Sequence, residues 1–203
     1  MITDTAISRG PGRPRSFDMN DALDQALQVF ATRGYHGASV GDLSAAMGLA
    51  AGSVYKAFKD KRAIFLAAFD RYLVVRRLKL DAVIAAADTG RGKLAKALEF
   101  YAASSCGPVG RQGCLVVSSA SELALHDDQA ASRVAEALAE NERRLADLIE
   151  QGRSDGSIAA DIDVATTARL LLCLMTGMRI VGKTGRQPAD MAAVAAAAMT
   201  MIA

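Results

Sequence analysis

The chain has 203 residues, is 51% hydrophobic and 23% charged, and carries a net charge of +2. That charge is too small to point to any partner, so a nucleic-acid site must come from local charge. Aromatics make up only 5% and alanine is abundant, a composition that helices tolerate far better than sheets.

The opening residues include Asp4, Arg9, Gly10 and Pro11 and contain no apolar segment of the kind a secretion signal needs. The apolar runs Leu170 to Met178 and Met191 to Met199 fall short of the ~20 residues of a spanning helix, so no membrane partner is expected. Three cysteines without a secretion signal point to a cytoplasmic protein.

Residues 1–16 read as a flexible basic arm, because RGPGRPR sets Gly and Pro breakers among Arg9, Arg13 and Arg15. A first helix starts near Asp18, with Ala22, Leu23, Ala26, Leu27 and Phe30 at the helical period, and stops at Gly34. Ser39 and Asp42 form the capping-box pattern of a second helix, which Gly48 breaks. A third runs from about Ala51 to Phe58. Helix, glycine turn, helix is helix-turn-helix spacing.

Asp60 can cap a long helix reaching about Asp88. Further helices are expected from Gly92 to Cys106, from Cys114 to Leu125, and from Asp127 or Asp128 to near Gly156, with GPVGRQG as a loop. The last two run from Val164 to Lys183 and from Ala189 to Ile202. The fold class is all-α: arm, helix-turn-helix head over 17–60, and a helical ligand-binding and dimerisation body over 61–203.

The third helix is unusual. Its start is small and smooth, Ala50, Ala51, Gly52 and Ser53, and its end carries Tyr55, Lys56, Lys59 and Lys61. A helix entering the major groove must fit a slot about 12 Å wide, and small residues let its backbone approach. Gly52 and Ser53 are then the docking nose, while Tyr55, Lys56 and Lys61 reach phosphates on the groove walls. The bland alternative is a helical subdomain with a solvated basic rim.

The stretch F-D-x-x-x-A-L-x-x-A-L-x-x-F from Phe17 to Phe30, then GYHGAS, then VGDLSAAMGLAAGSVYKAFKDK, resembles the DNA-binding domain of TetR-family transcriptional regulators. The resemblance implies an all-helical homodimer and a repressor of a palindromic operator, released by a small-molecule effector. It adds Ser39 and Tyr35 as phosphate contacts. Arg13 and Arg15 could reach the minor groove from the arm, or belong to a disordered tail. The chain departs from the family pattern at Ala50, where many members carry Ser, and at Ala57, where many carry His or Tyr. Those changes remove a helix cap and a phosphate ligand.

Other signals are weaker. Gly37 to Gly41 matches G-x-S-x-G, but a helix precedes it and Ser39 serves better as a cap, so no enzyme is expected. Cys106 and Cys114 could form a redox pair or, with His126, a metal site, but their spacing fits no strong template. No cofactor is expected, and Cys173 reads as a small buried hydrophobe.

Sparse polar groups in apolar helices are what a small-molecule site needs. Tyr101, Cys114, Ser118, Glu122, Met175 and Arg179 are the candidates, although Glu122 and Arg179 could instead be exposed or paired with each other. The alanine run Ala192 to Ala198, bordered by Met191, Met199 and Ile202, makes the last two helices the expected dimer interface. The competing function is a helical small-molecule-binding or redox-sensing protein of the same fold with little or no DNA binding.

Overall fold

The computed structural model describes residues 18–202. Among them it contains ten α-helices and one 3-10 turn, with no strand. Arg13 and Arg15 lie outside the described residues.

α1 (Met19–Gly37) opens with the Asp18 carboxylate accepting the Asn20 N–H at 2.7 Å. Its regular run breaks at Gly34, whose φ of 69° would strain any residue with a β-carbon. α2 (Val40–Ala46) is fixed by the expected capping box: Ser39 Oγ accepts the Asp42 N–H and the Asp42 carboxylate accepts the Ser39 N–H, each at 3.1 Å. The Ser44 hydroxyl then donates to the Leu49 carbonyl at 2.5 Å, and the Leu49 N–H returns to the Ser44 carbonyl. That stitched turn sets the angle at which α3 (Ala51–Ala57) leaves.

Asp60 caps α4 (Lys61–Ile84) through the Ala63 N–H. α4 stops before the expected Asp88, because Ala86 and Ala87 tighten into bonds three residues back and Thr89 is used to cap α5 (Gly90–Ser104). The expected loop GPVGRQG is instead a short helix, α6 (Gly107–Gln112). Pro108 fits its first turn, where a missing N–H costs nothing. A β-carbon on Gly110 would lie 2.5 Å from the Ser105 carbonyl oxygen, so glycine here serves close approach.

α7 (Leu115–Glu122) ends before the expected Leu125. α8 (Asp128–Ser154) is capped by Asp127, whose carboxylate accepts the Ala130 N–H at 3.0 Å. α9 (Val164–Val181) runs into the 3-10 turn Gly182–Thr184, and α10 (Pro188–Thr200) closes the body. The stretch Val164–Thr184 is 21 residues long and apolar enough to cross a membrane by length and composition, more than the apolar run alone suggested. Its inner face, Ala168, Leu171, Met175 and Met178, packs in the body against α5 and α8.

Two apolar clusters organise the helices. The first joins Phe30, Leu43 and Val54 of the head to Phe65 of α4, Leu115 and Val116 of α7 and Val134 of α8. The head therefore shares its core with part of the body. The second cluster unites Leu94, Ile149, Leu171 and Ala195, from α5, α8, α9 and α10. Each fully buried large side chain contributes roughly 2 kcal/mol of transfer free energy.

Two expectations about the last helices need correcting. The alanine run does not form one smooth interface cylinder: Ala195 and Ala198 are buried against the body, while Ala192, Ala193, Ala196 and Ala197 face outward. Cys173 is exposed, because the inner positions of α9 are taken by Leu171 and Met175 on the opposite face.

Candidate functional site

α3 hangs on a single buried side chain, Val54. Gly52, Ser53, Tyr55 and Lys56 are all exposed, Tyr55 by 59%. Among the described residues, the side chains of Ser53, Tyr55 and Lys56 enter no hydrogen bond or ion pair. A β-carbon on Gly52 would meet only open space, so nothing inside the protein demands glycine there. Ala50 stands at the N-cap without a side-chain bond, as its departure from the family pattern implies.

The other three head candidates are engaged elsewhere. Ser39 is exposed, but its hydroxyl works in the capping box. The Tyr35 ring packs edge-on against Phe65 at 5.2 Å and stacks near Phe30, and its burial raises the phenol pKa. Lys61 is engaged within the protein. Its ammonium donates to the Tyr35 and Ala38 carbonyls at 2.9 and 3.0 Å and sits 4.5 Å over the Tyr35 ring. The break at Gly34 leaves carbonyls without helical partners, and Lys61 folds back to satisfy them. It fastens the α1–α2 turn to α4.

Behind the head lies a cavity of about 560 Å³, walled by α4, α5, α7, α8 and α9. Of the six candidates, Tyr101, Cys114, Met175 and Arg179 line it. Ser118 and Glu122 do not. The Ser118 hydroxyl bonds back to the Cys114 carbonyl at 3.1 Å. The Glu122 carboxylate leaves the cavity altogether and accepts the Tyr35 N–H at 3.1 Å, beside the break at Gly34. It is neither exposed nor paired with Arg179. Arg179 is 2% exposed and donates to the Gly113 carbonyl.

Sequence reasoning missed Tyr72 and Arg76. Their signal was a pair of polar side chains one turn apart on the long helix, easily read as part of a solvated face. The Tyr72 hydroxyl donates to Cys114 Sγ at 3.4 Å, and burial raises its pKa. The Arg76 guanidinium lies 4.5 Å from the Phe100 ring centre and 5.2 Å from that of Tyr101. All three cysteines are free thiols. Among the described residues no three His, Cys, Asp or Glu side chains gather in a way that could hold a metal ion.

Ion pairs tie head to body. Arg62, in the first turn of α4, makes a two-pronged contact with Asp127 at the start of α8. The Arg62 guanidinium and the Ala130 N–H hold the Asp127 carboxyl down at about 2. Arg71 reaches Asp24 of α1 at 3.0 Å.

Comparison with known proteins finds two family models along the chain. Residues 22–68 match the family model described as bacterial regulatory proteins, tetR family, and residues 90–198 match the tetracyclin repressor-like C-terminal domain. The chain is 30% identical over 189 residues to the HTH-type transcriptional repressor ComR of Escherichia coli (strain K12), covering 91% of this chain and 90% of ComR. A cysteine mutant of the TetR-family regulator CifR, solved with 26-base-pair operator DNA, superposes with a TM-score of 0.80 at 29% identity, over 93% of this chain and 98% of that one. A TetR regulator from Chloroflexus aurantiacus J-10-FL shares the fold, with a TM-score of 0.80 at 23% identity over 88% of this chain and 90% of its own. With both halves matched in order, the chain belongs to the TetR family of transcriptional regulators.

Proposed function

We propose that the protein is a transcriptional repressor that binds a palindromic operator as a homodimer and leaves it when a small molecule fills the cavity. The observation that carries this reading is the outer face of α3: Gly52, Ser53, Tyr55 and Lys56 are exposed and unengaged on a helix otherwise held by Val54. Residues 17–60 form the DNA-reading head and residues 61–203 the sensing and pairing body. Acting on DNA places the protein in the cytoplasm. The repressor ComR and the operator-bound CifR support the same reading.

The dimer uses the outer faces of α9 and α10. Leu170, Cys173, Gly177 and Ile180 recur three or four residues apart on α9, and Leu170 and Ile180 are about half exposed, at 46% and 53%. Gly177 opens onto free space, which lets a partner helix approach closely. With Ala192 and Ala196 of α10, this face closes on its own copy about a two-fold axis.

Control passes along two routes. α4 carries Tyr72 and Arg76 at the cavity and Lys61 at the head. α7 carries Val116 at the cavity and Glu122 at the Tyr35 N–H. A ligand that displaces either helix changes the separation of the two recognition helices. Half-sites lie about 34 Å apart, so a shift of a few Å prevents simultaneous engagement. A coupling of about 2.7 kcal/mol lowers DNA affinity roughly a hundredfold.

The test is a footprint of the protein on the DNA upstream of its own reading frame. Two protected half-sites related by a dyad are expected. Absence of any protected palindrome at low salt favours the competing reading, a helical small-molecule or redox sensor that keeps the fold without engaging DNA.

A further inference from the structure

Two arginines that line the cavity carry buried N–H groups with no acceptor among the described residues. Arg179, on α9, is 2% exposed and donates from Nη2 to the Gly113 carbonyl, while its Nε and Nη1 are buried and unpartnered among the described residues. Arg76, on α4, donates from Nη1 to Ser104 Oγ at 3.0 Å, while its Nη2 is likewise buried and unpartnered. Leaving buried donors of a charged group without acceptors is costly, and an apolar side chain of similar size would avoid that cost.

The carboxylates around the cavity do not answer them. Asp70 pairs with Arg133 at 2.9 Å, Glu140 with Arg143 at 2.6 Å, and Asp81 with Arg144. Glu136 accepts from the Ser132 hydroxyl at 2.8 Å. Each of these acids has another partner, and among the described residues none is paired with Arg76 or Arg179. The Arg76 guanidinium lies over the Phe100 and Tyr101 rings and keeps Nη2 for an acceptor. Burial raises the pKa of both Tyr72 and Tyr101, so neither phenol supplies a negative charge at neutral pH.

We infer that the cavity takes an organic monoanion with a carboxylate head and an apolar body, the head held by the unpartnered nitrogens of Arg76 and Arg179 and the body by Leu73, Val116, Leu172 and Met175. This rests on reading the cavity as the effector site. No lysine lines it, and the unpartnered nitrogens belong to two separate guanidiniums, Nη2 of Arg76 and Nε and Nη1 of Arg179, so each can take one oxygen of a two-oxygen head. A volume of about 560 Å³ accepts a body of drug-like size.

The experiment is calorimetric titration of the full chain with octanoate, decanoate and 4-phenylbutanoate, each beside the alcohol of the same skeleton. At least one acid should bind ten times more tightly than its alcohol or better. Arg76→Met and Arg179→Met should erase that preference without weakening the alcohol. Arg179→Lys, which keeps the charge but not the fork, should retain only part of it and guards against misfolding of the methionine variant. Equal affinity for acid and alcohol overturns the inference, as does a preference that survives both arginine substitutions or a lack of binding by all three acids. A parallel operator-binding assay keeps the two readings apart. An acid that binds through the arginines but leaves DNA bound refutes the repressor mechanism and supports the carboxylate site. A neutral compound that releases DNA with no acid preference does the reverse.

Discussion

Replacing Lys61 by methionine keeps the hydrophobic stem and removes the ammonium that bonds the Tyr35 and Ala38 carbonyls at 2.9 and 3.0 Å. Hydrogen bonds from a charged donor contribute roughly 1.5–3 kcal/mol each. Half exposure of the side chain lets water replace part of that, so the loss should be about 2 kcal/mol in total. For a chain of this length that is a fall in melting temperature of about 6 °C. Lys56→Ala should leave the melting temperature within a degree or so, because Lys56 is exposed and makes no internal bond. The two lysines should exchange roles when DNA affinity is measured against salt. Each phosphate contact contributes about 0.9 to the slope of log affinity on log salt, so Lys56→Ala should flatten the slope of a dimer by about 1.8. Lys61→Met should lower affinity with the slope intact, since it loosens the head without removing a phosphate ligand. Fluorescence anisotropy with a labelled operator from about 50 to 200 mM salt measures the slope. Circular dichroism supplies the melting curves. If Lys61→Met flattens the slope and melts like wild type, Lys61 grips DNA and its bonds to the turn are incidental.

Glu122→Ala should leave the Tyr35 N–H without its acceptor, cost about 1–2 kcal/mol, and reduce effector-driven DNA release more than effector binding. Unchanged release would remove α7 as a route of control. Ala196→Arg should fold, because Ala196 is exposed in the protomer, yet sediment as a monomer because the pair would bury an unmatched charge. A variant that remains dimeric would move the interface elsewhere. Asp127→Asn tests the head-to-body clamp against pH. The folded carboxyl titrates at about 2, below its ordinary value of 3.8, so its stabilisation is complete above about 4 and lost as pH falls towards 2. The stability gap between wild type and variant should be constant near neutrality and close over that window. A gap that persists at pH ~2 would assign the effect to something other than the Arg62 pair.

The head was legible from sequence because its signals are local. Ser39 with Asp42, Asp18, Asp60 and the glycine at 34 each act within a few residues of themselves, and each does what its position implies. The cavity was legible in part. Tyr101 and Arg179 stand out inside apolar helices, whereas Tyr72 and Arg76 sit on a helix with polar residues on several sides and become lining only when α5, α7 and α9 fold over them. Glu122 was misplaced for a related reason. Helical spacing puts it near Ser118, but its direction is set by the Tyr35 N–H, 87 positions away in sequence. Lys61 looked like one more cation in a basic run, and only the break at Gly34 gives it carbonyls to bond. GPVGRQG resembled a loop because glycine usually signals one, yet Gly110 serves contact with the Ser105 carbonyl.

That contact has a consequence for anyone redesigning the protein as a sensor. The Ser105 carbonyl oxygen sits against bare α-carbons on two sides: a β-carbon would come within 2.5 Å of it on Gly110 and 2.3 Å on Gly182. The junction joining the end of α5, α6 and the 3-10 turn after α9 therefore has no room for even one methyl group. A library that randomises it would consist largely of chains that fail to close the body. Variation aimed at new effectors belongs on Leu73 and Leu172, which line the cavity and are only half-buried.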